Sequence, residues 1–244
     1  PAQVCPLESS PLYIEEHCNQ YIEYDVDLAN EYLDKVLPEK DAEGYRLGPD
    51  GKRFVPIFTV HNDLSYGGHY VQVAEMLISY WKEVGVEVNV KPVDQALYRE
   101  HLLAGDLDIG TWGGGGPTEV AAHGSVPMRL VPPWHWASCC ALAALPWWEW
   151  YDSDGELGEV PPQIIQDLFA ALDDYYAAPL VGEPYMEAGK EMVRINAENL
   201  WWFIVVGLTP AVTAVGNEVR NVREGEGVTF DVCVAPWWPE LLWI

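Results

Sequence analysis

The chain has 244 residues, 49% of them hydrophobic and 21% charged, enough for one large or two small domains with a genuine core. Its 13 Lys and Arg stand against 38 Asp and Glu, a formal charge of -25. Such a surface repels phosphate backbones and anionic membranes, so nucleic acid is not expected as a partner. No run approaches the roughly 18 apolar residues of a membrane span.

The first clear helix is capped by Asp25, shows Leu28, Tyr32, Leu33 and Val36 at helical spacing, and stops at Pro38. Residues 43–46 and 52–60 flank Gly48-Pro49-Asp50-Gly51, a turn signal that predicts a hairpin. The pattern then alternates between two periods. Residues 54–60 read as a strand. Val73, Ala74, Leu77, Ile78 and Trp81 form a helical face closed by Gly85, and Val86, Val88 and Val90 alternate as a second strand. Asp94 caps a helix running through Leu97, Tyr98 and Leu102 to Gly105, and Leu107, Ile109 and Thr111 form a third strand. This order is that of an α/β unit with a parallel sheet, whose ligand-facing rim lies beyond the carboxyl ends of the strands. Residues 117–160 are rich in Pro and Trp with little periodicity, as expected of a long functional or poorly ordered loop. Helices are predicted after Pro161-Pro162 and from about Pro184 to Ile195. Residues 200–206 read as a buried strand, and residues 228–244 are apolar and aromatic. There is no internal repeat.

The five cysteines (Cys5, Cys18, Cys139, Cys140, Cys233) include no C-x-x-C pair, so neither a zinc site nor a redox motif is indicated. Cys139 and Cys140 read as small packed hydrophobes. The disulfide state stays open.

Several segments resemble family 5 extracellular solute-binding proteins, the oligopeptide-binding type that serves ABC importers. They are Tyr24-Asp25-Val26-Asp27-Leu28-Ala29 with Leu33, then Asp41-Ala42-Glu43-Gly44-Tyr45-Arg46 with Pro49-Asp50-Gly51-Lys52. Further on come Ala74-Glu75-Met76-Leu77 with Trp81 and Gly85-Val86, and Glu198-Asn199-Leu200-Trp201 with Val206-Gly207-Leu208-Thr209-Pro210 and Asn221-Val222. The resemblance implies a two-lobed periplasmic-binding-protein-like fold (type II, or cluster C) with a mixed, mostly parallel sheet flanked by helices. It implies that residues 1–195 form the C-terminal ligand-binding lobe and that residues 196–244 return to an N-terminal lobe encoded upstream. A periplasmic or extracellular location, with any signal peptide or lipid anchor upstream, follows from the same resemblance. So do a membrane permease as partner and an oligopeptide or oligosaccharide as solute, with no cofactor.

The candidate ligand-binding residues are those at the strand ends: His61, Asn62 and Asp63 after the first, and Trp112, Gly113, Gly114 and Gly115 after the third. Glycines there let a ligand's backbone approach, with the indole as a wall. They are not a phosphate loop, since no Lys-Ser/Thr follows. Peptide-binding members resemble W-x-x-D at this point; here Gly115 stands in the Asp position and Glu119 is the nearest downstream carboxylate, which removes the expected amine anchor. Twelve tryptophans exceed ordinary core needs, and Trp134 and Trp136 are candidates for stacking on sugar rings or lining side-chain pockets. His69 reads as a residue that caps or packs a helix start. Asp152, Asp154 and Glu156 around Gly155 read as an acidic turn, because the glycine is misplaced for a calcium loop. Metal chelates rank below peptides and sugars, resting on His61, His123 and His135. A secreted hydrolase with Trp-lined subsites and paired carboxylates is the rival of another class, though no G-x-S-x-G or H-E-x-x-H is present.

Overall fold

A computed structural model describes residues 3, 5–6, 8, 10–62, 69–111, 130–132, 134, 144–180, 182–202, 204–205, 218 and 220. The chain divides into two units, one of Pro1–Ile22, Gly114–Leu130 and Gln166–Ile244, the other of Glu23–Gly113 and Val131–Ile165.

The second unit contains the predicted alternation. Strand β1 (Ile57–His61), helix α3 (Tyr70–Glu83), strand β2 (Asn89–Val93), helix α4 (Gln95–Ala104) and strand β3 (Ile109–Gly110) follow one another. The sheet order is β2-β1-β3, and both pairings are parallel. As the central strand, β1 is buried from Phe58 through His61. Phe58 and Val60 pack with Ala74 and Val88, and Leu77, Ile78 and Trp81 of α3 close over them. Val93, Tyr98 and Leu102 form a second cluster, completed by Leu107. Each of these large side chains contributes about 1.5–3 kcal/mol by leaving water. Strand β2 is more exposed and contains Lys91 and Pro92.

Ahead of the sheet stands helix α2 (Val26–Val36), capped by the Asp25 carboxylate, which accepts from the Leu28 amide at 2.8 Å. The predicted hairpin is reduced to two isolated antiparallel bridges, Lys40 with Arg46 and Leu47 with Arg53, around the turn at residues 48–51. Two arginines replace the missing ladder. Arg46 is fully buried and donates to the Val84 carbonyl (2.9 Å), the Leu37 carbonyl (2.6 Å), Asn30 Oδ1 (2.7 Å) and Asp34 Oδ1 (2.8 Å). It thereby ties α2 and the turn to the end of α3. Arg53 donates to Asp41, Glu43 and Glu87, each at 2.8 Å, and lies over the Tyr45 ring. Gly85, with φ +80°, permits this packing: a Cβ there would stand 2.6 Å from the Gly44 carbonyl oxygen.

The segment expected to be aperiodic is helical in part. Helix α5 (Leu145–Asp152) has Pro146 in its first turn, where a missing N–H costs nothing. With Trp147, Trp148 and Trp150 half-buried along only 8 residues, it is too short for a helical period to stand out. Asp152 and Asp154 lie in the exposed turn that ends α5, where the Leu157 amide donates to Ser153 Oγ at 2.8 Å.

The first unit is mainly helical among the described residues. Helix α1 (Glu15–Cys18) contacts α7 (Glu183–Asn199), and a Cys5–Cys18 disulfide closes the segment before α1. Gln3 Nε2 donates to the Gln20 carbonyl at 2.7 Å. Leu12 is fully buried against Gly189 of α7. Helix α6 (Gln163–Ala177) supplies Leu168, Phe169, Leu172 and Tyr175 to the core of this unit, and α7 supplies Tyr185, Met192, Val193 and Ile195. Tyr175 stacks on Tyr185 at 4.1 Å between ring centroids, and its hydroxyl donates to that of Tyr185. Asn196 Nδ2 donates to the Leu130 carbonyl at 2.6 Å. Residues 200–202 do not form the predicted strand: Leu200 caps α7 in the left-handed conformation, with φ 49°, and is 37% exposed.

Candidate functional site

In a parallel sheet every strand delivers its carboxyl end to the same edge, and each following helix starts there. His61, Val93 and Gly110 end the three strands, and Tyr70 and Gln95 begin the two helices. The Asn62 amide donates to the Val93 carbonyl at 3.0 Å, so the pairing of β1 with β2 runs one residue beyond the strand.

An aromatic cluster is built at this edge. The His61 ring is 1% exposed, 4.4 Å from the Tyr70 ring and 5.5 Å from the Tyr98 ring. Tyr98, in the first turn of α4, is equally buried, and its hydroxyl lies where a side chain on Gly110 would stand: a Cβ there would be 2.7 Å from the oxygen. Only glycine at the end of β3 leaves room for this tyrosine. One phenol thus packs against the ends of both β1 and β3, and α4 carries it from a start capped by Asp94, an acceptor for the Leu97 amide at 3.0 Å.

The helix starts add polarity. First-turn N–H groups give a helix N-terminus a partial positive charge. At α3 the N-cap is His69, whose exposed side chain makes no capping bond. The edge therefore combines a buried aromatic cluster with two helix starts, of which that of α4 is capped by Asp94. This equipment suits holding a solute's polar groups, and among the described residues no group of three or more His, Cys, Asp or Glu could hold a metal ion.

Of the residues expected from sequence, His61 and Asn62 lie at this edge, His61 buried and Asn62 exposed. Trp134 is buried, at 8% exposure, and adopts φ 50°; its amide donates to the Val131 carbonyl. Asp63, Trp112, Gly113, Gly114, Gly115 and Trp136 lie outside the described residues, as do Glu119, His123, His135, Cys139, Cys140 and Cys233. Sequence reasoning missed Tyr70 and Gly110 and took Tyr98 only as part of a helical face. The available signal was position: both tyrosines fall in the first turn of a helix that follows a strand.

Comparison with known proteins gives the context. Residues 1–128 match the family model described as bacterial extracellular solute-binding proteins, family 5 middle. No curated protein matches the chain. Among solved structures, an oligopeptide-binding protein OppA is similar at 27% identity and TM-score 0.62, over 82% of this chain and 32% of that one. The periplasmic binding protein MelB of Agrobacterium fabrum C58, solved with stachyose, has TM-score 0.58 at 14% identity, over 80% of this chain and 28% of that one. A periplasmic oligopeptide-binding protein of Thermotoga maritima, solved with mannohexaose, has TM-score 0.57 at 18% identity, over 82% and 35%. The last two likenesses concern the fold alone. The chain spans about a third of the length of these structures.

Proposed function

The chain belongs to family 5 of the bacterial extracellular solute-binding proteins, and from that premise we propose that it is part of the substrate-binding component of an ABC-type importer. The family match over residues 1–128 supports the reading most directly. In this reading the whole protein captures an oligopeptide or similar solute between two lobes, outside the cytoplasmic membrane or in the periplasm, and hands it to a membrane permease. Residues 1–195 supply one lobe and residues 196–244 return to the other. The parallel-sheet edge forms the ligand side of this lobe. Asn62 meets solute directly and His61 supports the surface from beneath, while Trp134 and, from the sequence reading, Asp63, Trp112, Gly113, Gly114, Gly115 and Trp136 are the further ligand-binding candidates. The chain binds rather than turns over its ligand. No helix among the described residues is long and apolar enough to cross a membrane.

A second reading within the same class is an oligosaccharide ligand. It is favoured by the 12 tryptophans, since an indole face suits the C–H surface of a sugar ring. A thermal-shift screen of short peptides and oligosaccharides on the full-length protein separates the two. A one-site ligand at a hundred times its dissociation constant stabilises by about 2.7 kcal/mol. A shift confined to peptides supports the first reading and one confined to sugars the second. Turnover of a chromogenic glycoside or peptide substrate would replace both with a hydrolase.

A further inference from the structure

Residues 3–20 are fastened by three contacts of different chemistry, two of them to α7. Leu12 is the wedge. It is fully buried, and a Cβ on Gly189 would stand 2.7 Å from its Cδ2 and 3.3 Å from both its Cδ1 and the Tyr175 ring. A turn presents it: the Leu12 amide donates to Ser10 Oγ at 3.2 Å, and the Tyr13 amide to the Ser10 carbonyl at 3.1 Å. Gln3 is the clasp, its Nε2 donating to the Gln20 carbonyl at 2.7 Å and to the Ala197 carbonyl at 3.5 Å. The third contact is covalent, the Cys5–Cys18 bridge. Helix α1, with four residues, is too short to stand by itself. Beyond it Tyr21 adopts φ 55°, a left-handed conformation that a non-glycine residue keeps only where its surroundings impose it.

Of the three, the bridge is the contact that a reagent can undo. Cys18 is 6% exposed whereas Cys5 is half-buried, so a thiolate approaches from the Cys5 side. It bonds to Cys5 Sγ; the S–S bond breaks, its electron pair leaves on Cys18 Sγ, and that sulfur takes a proton. The second thiol of a dithiol reductant then displaces Cys5, so that two cysteine thiols form and the reductant ends as a disulfide. Opening the bridge returns chain entropy to a loop of separation 13. One leucine and one amide clasp then hold the segment against that entropy and against the left-handed Tyr21. We propose that Cys5–Cys18 is a redox latch. Oxidised, it keeps Leu12 seated on α7; reduced by a dithiol, it lets residues 3–20 leave α7 while the sheet-bearing unit stays folded. The latch shares no residue with the sheet edge, and the proposal stands whatever the solute.

The test is hydrogen exchange read by mass spectrometry on the 244-residue chain, with and without millimolar dithiothreitol, the state of the bridge being mapped in the same samples. Reduction should speed exchange of residues 10–20 about tenfold or more, loosen α7 to a smaller extent and leave α3 as it was. Reoxidation should restore protection. Cys5→Ala with Cys18→Ala should show the fast pattern with or without reductant. Cys139→Ala with Cys140→Ala and Cys233→Ala, positions outside the described residues, should respond as the parent does. Leu12→Ala, with the bridge intact, should speed the same peptides, because it removes the wedge. Unchanged protection of residues 10–20 after mapped reduction, or in Leu12→Ala, overturns the proposal. So does equal acceleration in α3, which would mean general unfolding, and so does a bridge that dithiothreitol opens only after urea has unfolded the chain. A response lost with the other three cysteines would also overturn it, by placing the switch elsewhere.

Discussion

The two units solve the same problem with different chemistry. The sheet-bearing unit holds α2 and the residue 48–51 turn in place with a fully buried guanidinium, whose partners are two backbone carbonyls, an amide and a carboxylate. The helical unit holds its N-terminal segment with a disulfide and fills its centre with leucines, a methionine and a pair of neutral phenols. A buried charge is costly unless all its partners are present, whereas neutral groups tolerate loss in pairs. The sheet-bearing unit should therefore fail sharply at one residue, and the helical unit by degrees.

Hydrogen exchange, followed separately on amides of α2 and α7, can break this contrast. Arg46→Met should have the largest effect, about 3–5 kcal/mol, because the Val84 and Leu37 carbonyls and Asn30 Oδ1 each lose a donor, while Asp34, 58% exposed, turns to water; it should appear in α2 and leave α7 protected. Cys5→Ser with Cys18→Ser opens a loop of separation 13 and should cost about 2–3 kcal/mol, with the opposite pattern of exchange. Gly110→Ala should cost about 1–3 kcal/mol by overpacking against Tyr98. Tyr98→Phe in the same chain should recover part of that loss, since it removes the atom that is met. Tyr175→Phe leaves the Tyr185 hydroxyl without its buried partner and should cost about 1–2 kcal/mol, while Tyr175→Phe with Tyr185→Phe should be nearly neutral.

The smallest effect is a pH dependence at Asp41. Burial pushes its carboxyl up, but the Tyr45 amide, the Arg53 guanidinium and the Glu43 amide outweigh burial and hold it below its ordinary value of 3.8. With the folded value depressed, the contribution to stability is complete above 3.8 and is lost as pH falls below it towards the folded value. Melting temperature should therefore decline more steeply between pH 4 and 3 in the parent than in Asp41→Asn, whose side chain does not titrate.

What the sequence made legible was what its local chemistry encodes. Asp25 and Asp94 announce their helices because a carboxylate three residues before an amide caps it. The helical face at residues 73–81 and the alternation at Val86 to Val90 gave the order of the α/β unit, although the strand formed is Asn89–Val93 and overlaps the predicted one only at residues 89–90. Helix α1 was silent because four residues lack a period and depend on α7 and a disulfide whose pairing five cysteines do not reveal. Helix α5 was silent because its 8 residues are too few for a period to stand out among the surrounding prolines and tryptophans. At the candidate site, the strand end at His61 was visible, but the cluster around it was not. Tyr70 and Tyr98 reach His61 from two different helices, and only the folded chain brings them together. Arg46 was quoted as part of a motif, with no hint that it is fully buried, because its four acceptors are spread from Asn30 to Val84.

Strand β2 has one consequence for how the chain survives at high concentration. In its pairing with β1, the Asn89 amide and the Val93 carbonyl point inward, so in a parallel ladder the backbone of Pro92 faces the outer edge. Proline offers no hydrogen there, and Lys91 beside it adds charge. A neighbouring chain that tried to extend this sheet would find the row of donors interrupted and would gain no continuous ladder. The edge is in effect sealed against cross-β growth, a protection that matters most while the chain is still partly folded and crowded by its own kind.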